Sequence, residues 1–466
     1  MLLINTKNKQ PIYEQLYMQI RDKIMTGEWE FSMRLPSSRQ LAKDLLISRN
    51  TVELAYQQLL AEGYLFTKPR SGIYVQKLDT SFFNRCFPIP KESPITRAAP
   101  ENAYKYNFRY GKLDYRYIPF KTWKKILMQC YEEEMDGIVS YGTHQGEIGL
   151  REQIAKYVTE HRGVKCNPEQ IVVGAGTLYC VSLLCNLLTR SAKTIGFEDP
   201  GYGKVRTVFK NSGLEVCPIS VEKDGINVRE LNDSGARAVY VTPSHQFPTG
   251  AIMSISKRLQ LLDWAIQKQA LIIEDDYSCH FRYNVRPIPS LQGISPEANV
   301  VYLGSFSKCL MPSLRMAFMV LPPAILDEYR TIYYNYNTSV PYVFQKTLER
   351  FMREGYFDRH LRTVLQVSKK RHDCLLQALN DELGEWIEIT GKDAGLFVAV
   401  QVNNELSEEQ LIQRAAEVGV LVYPMFDHWD RTNHYDGKTV LLGYSSLDLN
   451  EIKDAVQLLR KAWLEN

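Results

Sequence analysis

Ser305-Phe306-Ser307-Lys308, followed by Arg315, is the stretch that decides the fold of most of this chain. A lysine amine can form a Schiff base with an aldehyde, and two hydroxyls and a guanidinium at short spacing suit a phosphate dianion. Serine-rich segments with a lysine also occur on solvated surfaces, so the stretch alone allows both interpretations. The segments upstream of it favour the interpretation as a Schiff-base and phosphate site.

An apolar segment upstream of Lys308 ends in acidic residues. Residues 270–277 read Ala-Leu-Ile-Ile-Glu-Asp-Asp-Tyr, which indicates a strand whose end carries carboxylates and a phenol. Ligand groups of α/β proteins lie at such strand ends. A carboxylate beside a pyridine nitrogen would keep that ring protonated, as pyridoxal 5'-phosphate (PLP) requires. We expect Asp275 to contact the ring nitrogen and Tyr277 the ring oxygen, whereas the acids alone would also fit a solvated strand end.

Three further segments contribute candidate contacts. Residues 171–177 read as a short strand that runs into a Gly-rich turn before an apolar helix, where backbone N–H groups can approach an anion. Residues 198–202 end in a Pro-Gly-Tyr turn whose ring could stack on a pyridine, and residues 242–250 complete the set. Each pattern also occurs without a ligand. The additional candidate cofactor contacts are Gly176, Thr177, Tyr202 and His245.

From about residue 108 to the end, the order of these motifs resembles a fold-type I aminotransferase. The resemblance implies PLP as the cofactor. In that family the tyrosine that corresponds to Tyr141 reaches the phosphate bound by the neighbouring subunit, which implies a homodimer. The resemblance assigns Lys308 to the Schiff base, Asp275 to the ring nitrogen, Tyr277 to the ring oxygen, and Ser305, Ser307 and Arg315 to the phosphate.

Two departures from that family bear on activity. Where typical aminotransferases have Asn-Pro-Xaa-Asn-Pro-Thr-Gly, this chain has His245 and Gln246, which leaves the second contact to the ring oxygen open. Near the C-terminus, Leu441 stands where the family carries an arginine that grips the substrate carboxylate. Leucine cannot hold a carboxylate, so ordinary α-amino-acid transamination is disfavoured. Candidate effector-binding cations, each with solvated surface charge as the alternative, are Lys204, Arg206 and Arg431.

The N-terminal residues follow a different pattern. Apolar residues recur every four positions over residues 12–24, which places one stripe on a helix. A second short helix follows residues 35–39, and Ser48 is a suitable N-cap for a third. Residues 49–51, Arg-Asn-Thr, open this third helix with side chains that reach base edges when a helix enters the major groove. A plain three-helix bundle is the alternative.

Residues 63–75 weaken that alternative, because they read as strand, basic turn and strand, a wing that can follow a phosphate backbone. Residues 1–78 together resemble a GntR-type winged helix-turn-helix. The two parts in this order resemble a MocR-family regulator over nearly the full length, which implies double-stranded promoter DNA as a partner. The predicted DNA contacts are Arg34, Ser38, Arg39, Ser48, Arg49, Asn50, Thr51, Lys68 and Arg70.

Composition agrees with this division. The chain has 56 Lys+Arg and 53 Asp+Glu, and residues 1–78 hold 11 and 7 of them, so the first 78 residues carry +4 and the remainder −1. The excess of positive charge therefore lies on the expected DNA-binding domain. Nine cysteines without a Cys-Xaa-Xaa-Cys pair fit a reducing cytoplasm and predict no metal site. Since no signal peptide or span-length apolar stretch is visible, we expect no membrane partner.

The sequence therefore predicts an α/β protein in three parts. Residues 1–78 form the winged helix-turn-helix, and residues 79–106, which include four prolines, form a linker. Residues 107–466 form an aminotransferase class I/II-like PLP-binding effector domain, with a mostly parallel sheet and a smaller C-terminal lobe after about residue 340.

The expected function is that of a cytoplasmic, PLP-dependent transcriptional regulator. It would sense PLP or a small amino compound as effector and alter its promoter binding. The alternative is an active aminotransferase with an accessory DNA-binding domain. A third hypothesis is a DNA-binding protein whose large domain only dimerises. The absence of the carboxylate-gripping arginine favours the regulator, with weak transamination left open.

Overall fold

The chain divides into two units, residues 1–98 and residues 99–466, in a computed structural model. The predicted linker, residues 79–106, lies outside the described residues up to residue 103. In the described part of the chain, none of the helices has the length and apolarity needed to cross a membrane. The structure describes residues 2–5, 10–78, 104–283 and 288–465.

The first unit consists of three helices followed by a two-stranded antiparallel hairpin. The hydroxyls of Ser37 and Ser48 accept backbone N–H bonds at the starts of the second and third helices, as N-caps do. Leu16, Ile20 and Ile24 are buried in one apolar core, so the predicted stripe faces inward. The elements are α1 (Ile12–Met25), α2 (Ser38–Leu45), α3 (Arg49–Ala61), β1 (Leu65–Lys68) and β2 (Gly72–Val75).

An eight-stranded sheet forms the centre of the second unit, with the strand order β4-β11-β10-β9-β8-β5-β6-β7. The five strands from β10 to β6 run parallel, and β11 and β7 are antiparallel to their neighbours. The prediction of a mostly parallel sheet is confirmed. The strands are β4 (Ile171–Gly174), β5 (Thr194–Asp199), β6 (Glu215–Glu222), β7 (Gly225–Ile226), β8 (Ala238–Val241), β9 (Leu271–Asp275), β10 (Val300–Ser305) and β11 (Ala317–Val320).

Helices cover both faces of this sheet. Along β4, Ile171 and Val173 pack into one apolar cluster and Val172 into another, because successive side chains of a strand point to opposite faces. The helices of this part are α4 (Phe120–Glu133), α5 (Met135–Ile138), α6 (Ile148–Arg162), α7 (Thr177–Ser191), α8 (Gly203–Asn211), α9 (Val228–Asp233), α10 (Ile255–Lys268), α11 (Leu291–Ile294), α12 (Pro323–Ile332) and α13 (Tyr342–Arg353).

A smaller C-terminal lobe has its own sheet, in the order β12-β13-β16-β15. Leu375, Val398, Val440 and Leu459 join its helices to this sheet in a separate apolar core. A two-residue strand near residue 106 also belongs to the lobe, since β3 pairs with β14. The elements are β3 (Tyr106–Asn107), α14 (Tyr356–Leu383), β12 (Ile387–Thr390), β13 (Phe397–Val402), α15 (Glu408–Glu417), β14 (Val420–Leu421), β15 (Tyr423–Pro424), β16 (Thr439–Gly443) and α16 (Leu449–Leu464).

Candidate functional site

Lys308 and Asp275 follow neighbouring parallel strands of the large sheet. Asp275 ends β9 and pairs with Leu303 of β10, and Lys308 lies in the loop after β10. Carboxyl ends of parallel strands meet at one edge of a sheet, which brings the two residues together. Burial and the positive charges of Lys204 and Arg109 together lower the pKa of Lys308 to about 8, against the effect of Asp275, which raises it. An amine with this pKa is partly neutral near pH 7 and therefore nucleophilic.

The Asp275 carboxyl is only 3% exposed and has one unsatisfied oxygen. Its Oδ2 accepts a hydrogen bond from the Tyr240 hydroxyl, whereas its buried Oδ1 has no partner among the described residues. Burial raises the pKa of Asp275 to about 7. Buried polar atoms are normally hydrogen-bonded, so this oxygen fits a protonated ring nitrogen as its missing partner.

Tyr277 and His245 meet beside Asp275. The Tyr277 hydroxyl donates to the His245 carbonyl at 3.0 Å and lies 3.1 Å from Nδ1 of the same histidine. Burial raises the pKa of Tyr277 and lowers that of His245 to about 4, so the phenol keeps its proton and the imidazole is neutral. Two uncharged groups that each carry a hydrogen-bond donor therefore stand together, and Tyr277 would contact a ring oxygen by turning its hydroxyl hydrogen away from the His245 carbonyl.

Three of the predicted phosphate contacts, Gly176, Thr177 and Arg315, meet at the start of α7. Gly176 has φ +94°, and a Cβ there would lie 2.4 Å from a guanidinium nitrogen of Arg315, so only glycine fits. The guanidinium thus lies at a helix N-terminus, beside Thr177, where an anion is favoured. In the loop after β10, Ser305 Oγ accepts the Ser307 N–H at 3.1 Å.

The Lys308 amine lies beside the first ring of an aromatic cluster. Nζ lies 5.9 Å from the centroid of the Tyr110 ring, and a Cβ on Gly111 would lie 2.1 Å from the same nitrogen. Phe247 packs between Tyr110 and Tyr202, with ring centroids 5.2 and 5.4 Å away. Sequence reasoning did not find Tyr110, and it gave no role to Phe247, although Phe247 lies within the predicted segment 242–250. The only local signal for Tyr110 was its place in a Tyr-Gly pair before α4.

The candidate effector cations differ in their surroundings. Arg206 is buried and lies 3.5 Å from Asp430. Arg431 lies 3.2 Å from the buried Asp199. Both arginines are therefore engaged in ion pairs within the protein. Lys204 is exposed, and its charge reaches Lys308.

Leu441 is fully buried in an apolar cluster with Phe247 and Phe397. No cation therefore stands at this position of β16. Tyr141, expected to reach a second subunit, is 90% exposed. Among the described residues, no group of three or more His, Cys, Asp or Glu is arranged to hold a metal ion.

The predicted DNA contacts lie on the surface of the first unit. At the start of α3, Arg49 Nε lies 2.8 Å from Glu53 Oε1, which also accepts from Ser38 at 3.2 Å. In the hairpin, Lys68 Nζ lies 4.5 Å from the centroid of the Tyr74 ring. The exposed members are Arg34, Arg39, Ser48, Arg49, Asn50, Lys68 and Arg70, and the half-buried ones are Ser38 and Thr51.

Comparison with known proteins agrees with this architecture. Residues 106–431 match the aminotransferase class I and II family, and residues 12–75 match the gntR family of bacterial regulatory proteins. LysN, the α-aminoadipate aminotransferase of Thermus thermophilus, superposes with a TM-score of 0.69 at 24% identity, covering 76% of this chain and 91% of that chain. An archaeal alanine:glyoxylate aminotransferase gives 0.71 at 24% identity, over 78% and 91%. The large unit is thus a fold-type I aminotransferase fold.

Several curated relatives match along nearly the whole chain. The HTH-type transcriptional regulator YdeL of Bacillus subtilis (strain 168) is 38% identical over 97% of both chains. The probable rhizopine catabolism regulatory protein MocR of Rhizobium meliloti is 31% identical over 100% of this chain and 96% of its own. The pyridoxine biosynthesis regulator PdxR of Corynebacterium glutamicum is 28% identical over 98% of both. The chain belongs to the MocR family of HTH-type transcriptional regulators.

Proposed function

We propose that this protein is a regulator that binds PLP through Lys308, senses PLP or a small amino compound, and changes its affinity for promoter DNA in response. One observation carries the proposal: the buried Asp275 oxygen without a partner among the described residues, next to a lysine whose pKa is lowered. The relative named for pyridoxine biosynthesis supports PLP itself as one effector. Such a regulator would act as a homodimer in the bacterial cytoplasm, where promoter DNA lies.

The residues present fit PLP at each of its polar groups. When bound, PLP supplies an aldehyde that reacts with amines and a ring that withdraws electrons. Lys308 offers the amine, and Asp275 holds the proton at the ring nitrogen. The Tyr110 ring lies beside the Lys308 amine. The ring oxygen would contact Tyr277 and His245, the ring face Tyr202, and the phosphate Gly176, Thr177, Ser305, Ser307 and Arg315.

A regulatory role fits the site better than turnover. Transamination needs a cation that orients the bound amino acid so that its Cα–H bond can break. Leu441 offers none, and the neighbouring arginines, Arg206 and Arg431, are engaged in ion pairs. An effector acts as a signal when it binds one conformation more tightly than the other, because equal affinity shifts no equilibrium.

The cofactor assignment is tested by chemical trapping. Borohydride reduction of the purified yellow protein, followed by peptide mapping, is expected to place the cofactor mass on Lys308. The Lys308→Ala variant should lose the covalent link and keep weaker binding through the phosphate contacts. The Lys210→Ala variant, which changes an exposed lysine of α8, is the matched control and should label normally. A label on any other lysine would overturn the assignment.

A further inference from the structure

Two buried tyrosines hold two consecutive aspartates at the end of β9. Tyr240 on β8 donates its hydroxyl hydrogen to Asp275 Oδ2, and Tyr302 on β10 donates to Asp276 Oδ2 at 2.8 Å. Successive residues of a strand point to opposite faces of a sheet, so each neighbouring strand supplies one phenol to one face. All four side chains are buried.

The two aspartates differ in charge compensation. Burial alone would raise the pKa of Asp276, but the Arg162 guanidinium, with Nε 2.5 Å from Oδ2, and hydrogen bonds from Ser244 and Tyr302 outweigh burial and keep it low. Among the described residues, no arginine or lysine forms a salt bridge with Asp275. The charge of Asp276 is thus balanced by Arg162, whereas Asp275 has no ion-pair partner among the described residues.

We propose that Tyr240 is a positioning residue for the cofactor, because its phenol holds Oδ2 of Asp275 and thereby directs Oδ1 to the PLP ring nitrogen. This inference rests on the proposed function. Oδ1 is the buried Asp275 oxygen without a hydrogen-bond partner among the described residues. The donor is itself fixed, since the Tyr240 ring stacks on Phe197 at 5.3 Å with an interplanar angle of 7° and meets Phe209 edge-on at 5.9 Å.

The phenol also affects the charge of Asp275. Burial raises the pKa of this carboxyl, and the hydrogen bond from Tyr240 opposes the rise because it favours the ionised form. Loss of the hydroxyl should therefore leave Asp275 more often protonated. The titratable groups that face Asp275 are Tyr240, Asp276, Lys308, Tyr277, Glu198, Tyr202 and Cys180.

The test compares two ligands in a Tyr240→Phe variant of the full-length protein. One ligand is PLP, and the other is its carbocyclic analogue, in which carbon replaces the ring nitrogen. Loss of the hydrogen bond to the Asp275 carboxylate should weaken PLP binding about ten-fold. Binding of the analogue should not change, since it has no ring nitrogen for Asp275 to contact.

Tyr302→Phe is the matched control, because it removes the same hydroxyl from the aspartate that faces away from the cofactor. It should change the affinities for PLP and for the analogue by one common factor. Equal loss for both ligands in Tyr240→Phe would overturn the positioning role. Wild-type protein that fails to bind PLP at all would instead overturn the proposed function.

A measurement without cofactor provides a second test. In carboxyl-carbon NMR of the cofactor-free protein, Tyr240→Phe should raise the pKa of Asp275, whereas Tyr302→Phe should leave it unchanged. If Tyr240→Phe does not fold, 3-fluorotyrosine at position 240 supplies a more acidic donor. It should shift the Asp275 pKa down and tighten PLP binding but not binding of the analogue. An unchanged Asp275 pKa with either substitution at position 240 would contradict the inference.

Discussion

The buried Asp275 carboxyl has no ion-pair partner among the described residues, and its ionisation lowers the free energy of unfolding of the cofactor-free protein. An aspartate in an unfolded chain has a pKa of about 3.9, whereas burial raises the folded pKa to about 7. Between these values the folded state binds the proton more tightly. Raising the pH therefore removes stability up to about pH 7, and the loss is constant above it.

Asp275→Asn should accordingly stabilise the cofactor-free protein. The gain in free energy of unfolding should be small near pH 4 and grow to at most about 4 kcal/mol above pH 7, at about 1.36 kcal/mol for each pKa unit. Calorimetric unfolding at pH 5 and pH 8 measures it, with Asp263→Asn on the exposed face of α10 as control. A gain that is the same at both pH values would show that the carboxyl is not the cause.

Single residues at strand ends could be predicted because their roles follow from local patterns. An apolar run that ends in acids marks a sheet edge, and this pattern, together with the lysine loop and the family resemblance, predicted Asp275 and Tyr277 as partners of the same site as Lys308. Tyr240 and Tyr110 could not be found in this way. Tyr240 lies 35 residues from its partner along the chain, and no periodicity tells which strand becomes the neighbour of which.

The third helix and the wing of the first unit should contribute differently to DNA binding. Arg49 opens α3, and we expect it to read a base, so Arg49→Ala should cost about 1–3 kcal/mol on the native promoter and little on scrambled DNA. Arg70 lies in the exposed turn between β1 and β2, and Arg70→Ala should weaken binding to both DNAs. It should also reduce by about 1 the slope of the logarithm of the binding constant against the logarithm of the salt concentration. Equal losses on both DNAs for Arg49→Ala would refute its role as base reader.

Arg431 is one of several residues that join residues 425–435, between β15 and β16, to the part of the chain that carries the large sheet. Arg431 reaches Glu230 at 2.7 Å and Asp199 at 3.2 Å. Arg431→Ala should reduce the free energy of unfolding by about 1–3 kcal/mol, a range discounted because the arginine is partly exposed. It should also speed amide exchange across this segment. Lys369→Ala, which breaks an exposed pair with Asp373 inside α14, should cost about 1 kcal/mol at most. Amide exchange across residues 425–435 that is no faster in Arg431→Ala than in Lys369→Ala would contradict this role of Arg431.

Elements with strong periodicity were the predictable ones. The helix over residues 12–24, the hairpin after α3 and the buried strands of the large sheet all have local signatures. The pairing of β3 with β14 has none, because two-residue strands carry too few side chains to form a pattern. Their contact also joins residues 106 and 420, which only the completed fold brings together.

In the whole chain, binding of an amino compound should change DNA binding with little transamination of that compound. In a panel of amino acids, aminobutyrate-like compounds and D-amino acids, a few should shift the visible spectrum of the PLP-loaded protein and yield little keto acid, because Leu441 offers no cation to orient the Cα–H bond. The same compounds should alter promoter binding by the wild type but not by Lys308→Ala. Sustained turnover at about one per second or faster would favour the enzyme instead.

Leu441 makes it difficult to place a carboxylate-binding arginine at this position by one substitution. Its side chain is fully buried with Phe397, Ala399 and Met425. A lone Leu441→Arg change would put a guanidinium into this apolar cluster without a partner, at a large cost in free energy. An arginine can be lost from such a site in one mutational step, because leucine fills the space with its neighbours. An arginine at position 441 therefore needs changes in these neighbours as well, so no single substitution at this position turns the aminotransferase fold of this chain into a carboxylate-binding active site.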